Sequence, residues 1–292
     1  MKLTQKQKGV IALVLLALLF ASMGVFARYM QTSFTLFQQV YLRVAAALLL
    51  SLIFFKNKIN LGKILKINSR DWLVLVFRSL MLYVFGVSLF TYGIINAKYS
   101  NVSFISALPL TAVFGFILLK EEFTFKKMMY ILLAFIGVVF ISVTDLNNLF
   151  NWGRGEFVTL ISVVFFSLSY VGRKWHSKLL NNYEITTLIF LISLIFVFLT
   201  SFFMGESLPI YGWSYFLGLV VLFAGLFNVG NLYLTNYGFE RVEAVFASNL
   251  LTLESLFAIF IGFIFFREVP VMRELVGGAL IIFSVIKMNE LE

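Results

Sequence analysis

Ten long apolar stretches separated by short polar ones organise this chain, at about residues 9–30, 34–55, 72–96, 100–119, 127–144, 154–174, 185–204, 213–237, 243–266 and 272–287. A hydrocarbon core of roughly 30 Å needs about 20 apolar residues in helical form, so each stretch is read as a membrane span. The runs are continuously apolar, whereas strands of a membrane barrel alternate inward polar and outward apolar residues. The pattern therefore predicts an all-α integral membrane protein with ten transmembrane helices. Of the three prolines only Pro109 falls inside a span.

The stretches come in two sets. Thr91-Tyr92-Gly93, Ser103 to Pro109 and Glu122 are echoed by Asn236-Tyr237-Gly238, Ser248 to Ser255 and Glu268, at offsets of 145 residues for the tyrosines and 146 for the glutamates. We read a tandem duplication, with one five-helix repeat in 1–148 and a second in 149–292. An odd number of spans per copy turns the second copy upside down, an architecture shared by many secondary transporters. The segment Thr144 to Arg154, with Asp145, Asn147, Asn148, Asn151 and Gly153, reads as the joint between them.

Composition agrees with lipid as the solvent: 61% of residues are hydrophobic, 13% are charged, and the mean hydropathy is +0.97. A soluble domain carries about 25% charged residues. The 23 basic residues then set the orientation. With a cytoplasmic N-terminus, 16 of them fall on cytoplasmic segments and five outside, those five being Arg28, Lys98, Arg154, Arg267 and Arg273. That bias puts both termini in the cytoplasm, and it assigns the net charge of +9 to a rim facing anionic membrane lipids, with no nucleic-acid partner. Lys2, Lys6 and Lys8 before an apolar run and Ala21-Ser22-Met23 after it also resemble a signal peptide. Cleavage would remove the first span and break the repeat, so we read it as retained.

Several chemistries lack their residues. Cysteine is absent and His176 is the only histidine, so no zinc site, thiolate chemistry or iron–sulfur cluster is expected, and neither a metal nor another cofactor. His176 beside Arg173 and Lys174 reads as part of a solvated cytoplasmic rim. Glu121-Glu122 alone does not make an intramembrane protease, which needs histidines on other helices. There is no glycine-rich phosphate loop for ATP-driven pumping. The chain does not read as an enzyme.

Polar groups inside spans are the candidate functional residues, because an ionisable side chain at mid-bilayer costs about 2.5–3.5 kcal/mol on insertion scales. Three qualify: Arg43 in span two, Arg78 in span three and Glu254 in span nine. Glu254 shares a helical face with the small residues Ala247, Ala258 and Gly262, so that face points into the bundle. Glu254 either binds a substrate amine or a proton, or forms a fixed ion pair with Arg43 or Arg78. Arg43, on a face with Gln39, Ala46 and Ala47, either ligates an anionic group or bonds backbone carbonyls. Arg78 is a substrate ligand or snorkels to the cytoplasmic interface. Asn228, Asn231 and Thr235 line one face of span eight and should border a water-filled cavity, or else bond neighbouring helices. In span four Ser103, Ala107, Thr111 and Gly115 recur every four residues, a packing pattern interrupted by the kink expected at Pro109. Span nine carries Asn249, Thr252 and Ser255 in the equivalent stretch. The 36 phenylalanines serve as lipid-facing filler or as the wall of an apolar pocket.

Ser106-Ala107-Leu108-Pro109 through Leu118-Leu119-Lys120-Glu121-Glu122 to Ile136-Gly137-Val138, matched by Leu251-Thr252-Leu253-Glu254-Ser255 through Phe265-Phe266-Arg267-Glu268 to Gly277-Gly278-Ala279, resembles the drug/metabolite transporter superfamily, in its EamA-like branch. Arg43 and Phe77-Arg78-Ser79 also resemble family elements, with serine replacing a glycine. The resemblance covers nearly the whole chain. It implies ten helices, cytoplasmic termini and a cavity between the halves lined by spans four and nine with one, three, six and eight, with spans five and ten at the periphery. It further implies a multi-pass cell (inner) membrane protein, monomer or homodimer, that exports or exchanges a small-molecule substrate, often an amino acid, by alternating access. Lipid translocation on the same fold is the alternative. Ser255 stands where the family pattern has proline, which predicts that the second copy lacks the matching kink. Two arginines against one glutamate favour a zwitterionic or anionic solute, with protons as a further partner through Glu254.

Overall fold

The computed structural model describes residues 3–122, 124–143, 152–267 and 269–291. Glu268 of the repeat and the joint from Thr144 to Asn151 lie outside the described residues, as do the surroundings of Gly262 and the side chain of Arg28. Among the described residues there is helix and no strand. The helices are α1 (Gln5–Met30), α2 (Leu36–Phe55), the short α3 (Leu61–Ile64), α4 (Ser69–Ser79), α5 (Ser88–Asn96), α6 (Tyr99–Ser106), α7 (Leu110–Leu118) and α8 (Phe125–Ser142). Six more follow: α9 (Arg154–Val171), α10 (Asn182–Phe203), α11 (Tyr215–Arg241), α12 (Ala244–Leu251), α13 (Leu253–Phe266) and α14 (Met272–Leu291). Helix starts use polar caps. Thr4 and Gln7 form a reciprocal box at α1, and Asn181 and Glu184 do the same at α10, satisfying backbone donors that a first turn leaves free.

Hydrogen bonds between helix ends fix the up-and-down order. At the end where α1 begins, Arg241 at the close of α11 donates to Gln5 and Ser177 after α9 donates to Asp71 of α4. The carboxylate of Glu121, after α7, accepts from Ala244 and Val245 at the start of α12, at 2.8 and 2.9 Å, and Lys127 of α8 pairs with Glu243 at 2.6 Å. At the opposite end Glu206 after α10 accepts from Phe37 and Gln38 of α2, Asn101 of α6 donates to Glu156 of α9, and Arg273 of α14 donates to the Val143 carbonyl.

Nine helical segments among the described residues are long and apolar enough to cross a membrane, not ten. The exception is α14: Arg273, Glu274, Lys287 and Glu290 confine its uncharged part to residues 275–286. It runs beside α8, and the two cross at their glycines, where a β-carbon on Gly277 would stand 2.5 Å from the Gly137 carbonyl oxygen.

Two features depart from the sequence reading. The third span is not uniform helix: Leu80–Val87 between α4 and α5 is π-helical. The ninth span's helical ladder is interrupted at Thr252 without a proline, while Thr252 itself keeps right-handed helical backbone (φ −63°, ψ −18°). The Thr252 hydroxyl and amide both bond the Asn249 carbonyl, at 2.6 and 3.2 Å, a local side-chain bond that competes with the helical ladder. The first copy breaks as expected at Pro109 (φ −78°, ψ 41°), between α6 and α7. The turns that follow α7 and α13 also match: Lys120 and Arg267 both take left-handed backbone, at φ 55° and 56°, which costs a non-glycine residue about 1–2 kcal/mol.

Candidate translocation site

The helical ladders of spans four and nine are interrupted near the middle of the bundle, and there a cavity of about 170 Å³ opens between the copies. Its wall comes from α1, α2, the π segment, α5, α6, α7, α9, α11, α12 and α13, with nothing from α8, α10 or α14. The sequence expectation of spans one, three, four, six, eight and nine is met, and span two adds Arg43. The lining reaches Ala27, Ile94 and Ser103 toward the helix ends opposite the N-terminus and Tyr170, Thr235 and Ser248 in the other direction.

Arg43, Asn228, Asn231, Glu254, Ser103, Ala107 and Thr111 all line the cavity, whereas Arg78, Asn249, Pro109 and Gly115 do not. Arg43 donates from Nε to the Gln39 carbonyl at 3.1 Å and from Nη2 to Thr91 Oγ1 at 3.1 Å. Two of its five N–H donors are thus engaged, and among the described residues no carboxylate lies within ion-pair distance. Glu254 is half-buried in the wall, with neither a hydrogen bond nor a cation on its carboxylate among the described residues. The expected alternative of a fixed Glu254–Arg pair is therefore not what the structure has. Asn228 donates to the Ala224 carbonyl at 2.7 Å and accepts from the Tyr83 hydroxyl at 3.2 Å. Asn231 is buried with its Oδ1 unpartnered. The span-four stripe splits: Thr111 donates to Ser167 at 2.9 Å and Ser103 meets Ser142 at 3.2 Å beside the cavity, while Gly115 alone makes the close approach, to Ala244 and Val245.

Tyr83 and Tyr170 are cavity residues that the sequence reading missed. A signal existed for Tyr83: adding the repeat offset of 145 to 83 gives 228, the position of the residue it bonds. Asn249 turns away, its Oδ1 accepting from Ser284 of α14 at 3.2 Å.

Arg78 does not snorkel. It is 0% exposed and donates to the Ser169 carbonyl at 2.8 Å, to Asn236 Oδ1 at 2.8 Å and to His176 Nε2 at 3.1 Å. Arg173 extends the network through the Asn236 carbonyl, Asn182 and Glu240. The result is a polar plug across α4, α9, α10 and α11, next to Thr235 and Tyr170 of the cavity wall.

His176 is thereby corrected from solvated rim to buried acceptor. Since arginine only donates, Nε2 accepts and the neutral ring carries its proton on Nδ1. Burial, with the Arg78 and Arg173 charges nearby, pushes the imidazole down to about 2. Unfolded, it titrates near 6.5, so the folded chain binds fewer protons below that pH. Stability is full above pH of about 6.5 and is lost as pH falls, by about 2 kcal/mol at pH 5 from this group alone. Melting the wild type and His176→Gln at pH 7.5 and 5.0 should show the smaller acid-induced fall in the variant. Equal falls would contradict a buried neutral histidine.

Comparison with known proteins fits this arrangement. The model of the EamA-like transporter family matches twice, over residues 7–143 and 153–289. The chain belongs to that family. Members of the EamA-like family are transporters, and this one is a multi-pass membrane protein of that kind. Comparison with the curated proteins returned no match. Among 29 matching solved chains, one titled only "Crystal structure of protein" is similar over 98% of this chain and 99% of its own, with a TM-score of 0.79 at 14% identity, a likeness of fold alone. The two EamA-like matches begin with helices that start at opposite ends of the bundle, α1 at Gln5 and α9 at Arg154.

Proposed function

We propose that this protein is a secondary transporter of the cell (inner) membrane that moves a small metabolite, an amino acid or related zwitterion or anion, by alternating access in export or exchange. The observation that carries the reading is the mid-bundle cavity, walled by both copies and holding Arg43, Asn228, Asn231 and Glu254. Its volume of about 170 Å³ is close to the roughly 150 Å³ that holds a single benzene and below the about 300–1,000 Å³ of drug-sized sites, which supports a cargo of metabolite size. In this account α14 is the tenth span, shielded by its packing on α8, the two repeats are inverted, and both termini are cytoplasmic.

Alternating access needs a closure that can break. The Glu121 cap on α12 and the Lys127–Glu243 pair join the two copies at the end where α1 begins, and we assign them that role. The coupling is to an exchanged solute or to a proton carried on Glu254.

Reconstitution tests the proposal. Proteoliposomes preloaded with labelled amino acids or organic acids should show saturable, protein-dependent counterflow of at least one solute. Absence of any solute flux together with scrambling of labelled lipid would replace this reading with lipid translocation.

A further inference from the structure

The cavity wall carries one charged side chain of each sign, Arg43 and Glu254. We propose that substrate binds in one polarity, its carboxylate on the Arg43 guanidinium and its ammonium on the Glu254 carboxylate with the Asn231 carboxamide as a further ligand. This assignment rests on the transport reading above.

Counting charges in the spans gave two arginines to one glutamate, but Arg78 is consumed in the plug, so the cavity wall carries one guanidinium and one carboxylate. Neither is used up. Arg43 keeps three N–H donors without a partner among the described residues, and the Glu254 carboxylate has none of its acceptor sites filled by them. The two groups are not within 4.0 Å of each other as an ion pair, so both remain to be neutralised by what enters. An anion on Arg43 would leave Glu254 facing added negative charge, and a cation on Glu254 would leave Arg43 uncompensated. A zwitterion answers both charges at once, in a setting where each uncompensated charge is costly.

The two charges come from different copies, Arg43 from the first and Glu254 from the second. Leu108 lies at the matching position of the first copy, so no second acid offers the opposite polarity. Asn231 supplies the independent observation: it is buried, lines the same cavity and has an unpartnered carboxamide oxygen, while Asn228 one turn away is already held by Tyr83. An ammonium brings three donors, enough for both the carboxylate and the amide. The rest of the wall is largely apolar, including Phe20, Phe90 and Phe166, and accommodates the substrate's side chain.

Three matched sets test the polarity on the purified full chain: alanine, lactate and alaninamide; leucine, its 2-hydroxy acid and leucinamide; phenylalanine, phenyllactate and phenylalaninamide. Binding is read by ligand-induced thermal shift and by competition in counterflow. In at least one set the zwitterion should bind at least tenfold more tightly than either truncated analogue. Glu254→Gln should erase its advantage over the hydroxy acid while leaving hydroxy-acid binding in place, and Arg43→Gln should erase its advantage over the amide. The wild-type comparison needs no variant to fold. A hydroxy acid or amide that binds as well as its zwitterion in every set overturns the assignment, as does an equal loss of all three ligands in Glu254→Gln. If other solutes show counterflow but no set shows the preference, the polarity fails while the transport reading stands. Absence of flux for every solute sinks the transport reading itself.

Discussion

Replacing Arg78 by methionine should leave little folded protein to purify. The side chain is fully buried and bonds Ser169, Asn236 and His176 on two other spans and a connecting turn. Methionine fills much of the volume but leaves a carbonyl, an amide oxygen and an imidazole nitrogen unsatisfied. Removing one partner of a buried polar cluster costs about 3–5 kcal/mol, against a total stability of about 5–15 kcal/mol. Arg78→Lys should be intermediate or poor, because an ammonium cannot reproduce the guanidinium fork that reaches three directions. Monodisperse yield and melting temperature in detergent decide this. A methionine variant that melts with the wild type would mean that the plug is not holding these spans together.

Gly277→Leu should be as damaging, for a steric reason. A β-carbon there would lie 2.5 Å from the Gly137 carbonyl oxygen and 2.9 Å from both the Ile141 side chain and the Phe140 β-carbon. The first obstacle is backbone and cannot rotate aside, so α8 and α14 must separate. Overpacking a filled core costs about 1–3 kcal/mol or more, and here it falls on the contact that shelters α14, whose ends carry Arg273, Glu274, Lys287 and Glu290. Gly218→Leu is the control, since nothing lies within 4 Å of its β-carbon. Equal yields and melting temperatures for the two variants would contradict the close crossing.

The sequence carried the fold because apolar run length, repetition and basic residues are each set by the chain's own composition. The closing glycines, read only as motif elements, turn out to touch each other. What stayed hidden depends on partners far along the chain. Whether Arg78 snorkels or is buried is decided by Ser169, His176 and Asn236, and the same contacts bury His176. Asn249 lies in span nine as expected, yet Ser284 draws it toward α14. The π-helical segment has no local signature in Leu80–Val87, and the interruption at Thr252 comes from a hydroxyl bond rather than a proline. For the cavity, helical spacing correctly grouped Asn228, Asn231 and Thr235. Charge counting overstated its positive character by including Arg78.

The central claim is that one cavity opens alternately to the two ends of the bundle, with the Glu121 cap closing the end where α1 begins. The absence of native cysteine allows a direct test, with a single cysteine replacing the cavity residue Ser106 and an impermeant maleimide applied from either face of sealed vesicles. The account predicts labelling of the otherwise wild-type Ser106→Cys chain from the face opposite the N-terminus. In Glu121→Ala, which removes the bonds to Ala244 and Val245, labelling from the N-terminal face should rise about fivefold, the shift for a lost cap of about 1 kcal/mol. Labelling that is unchanged by Glu121→Ala and confined to one face would contradict alternating access.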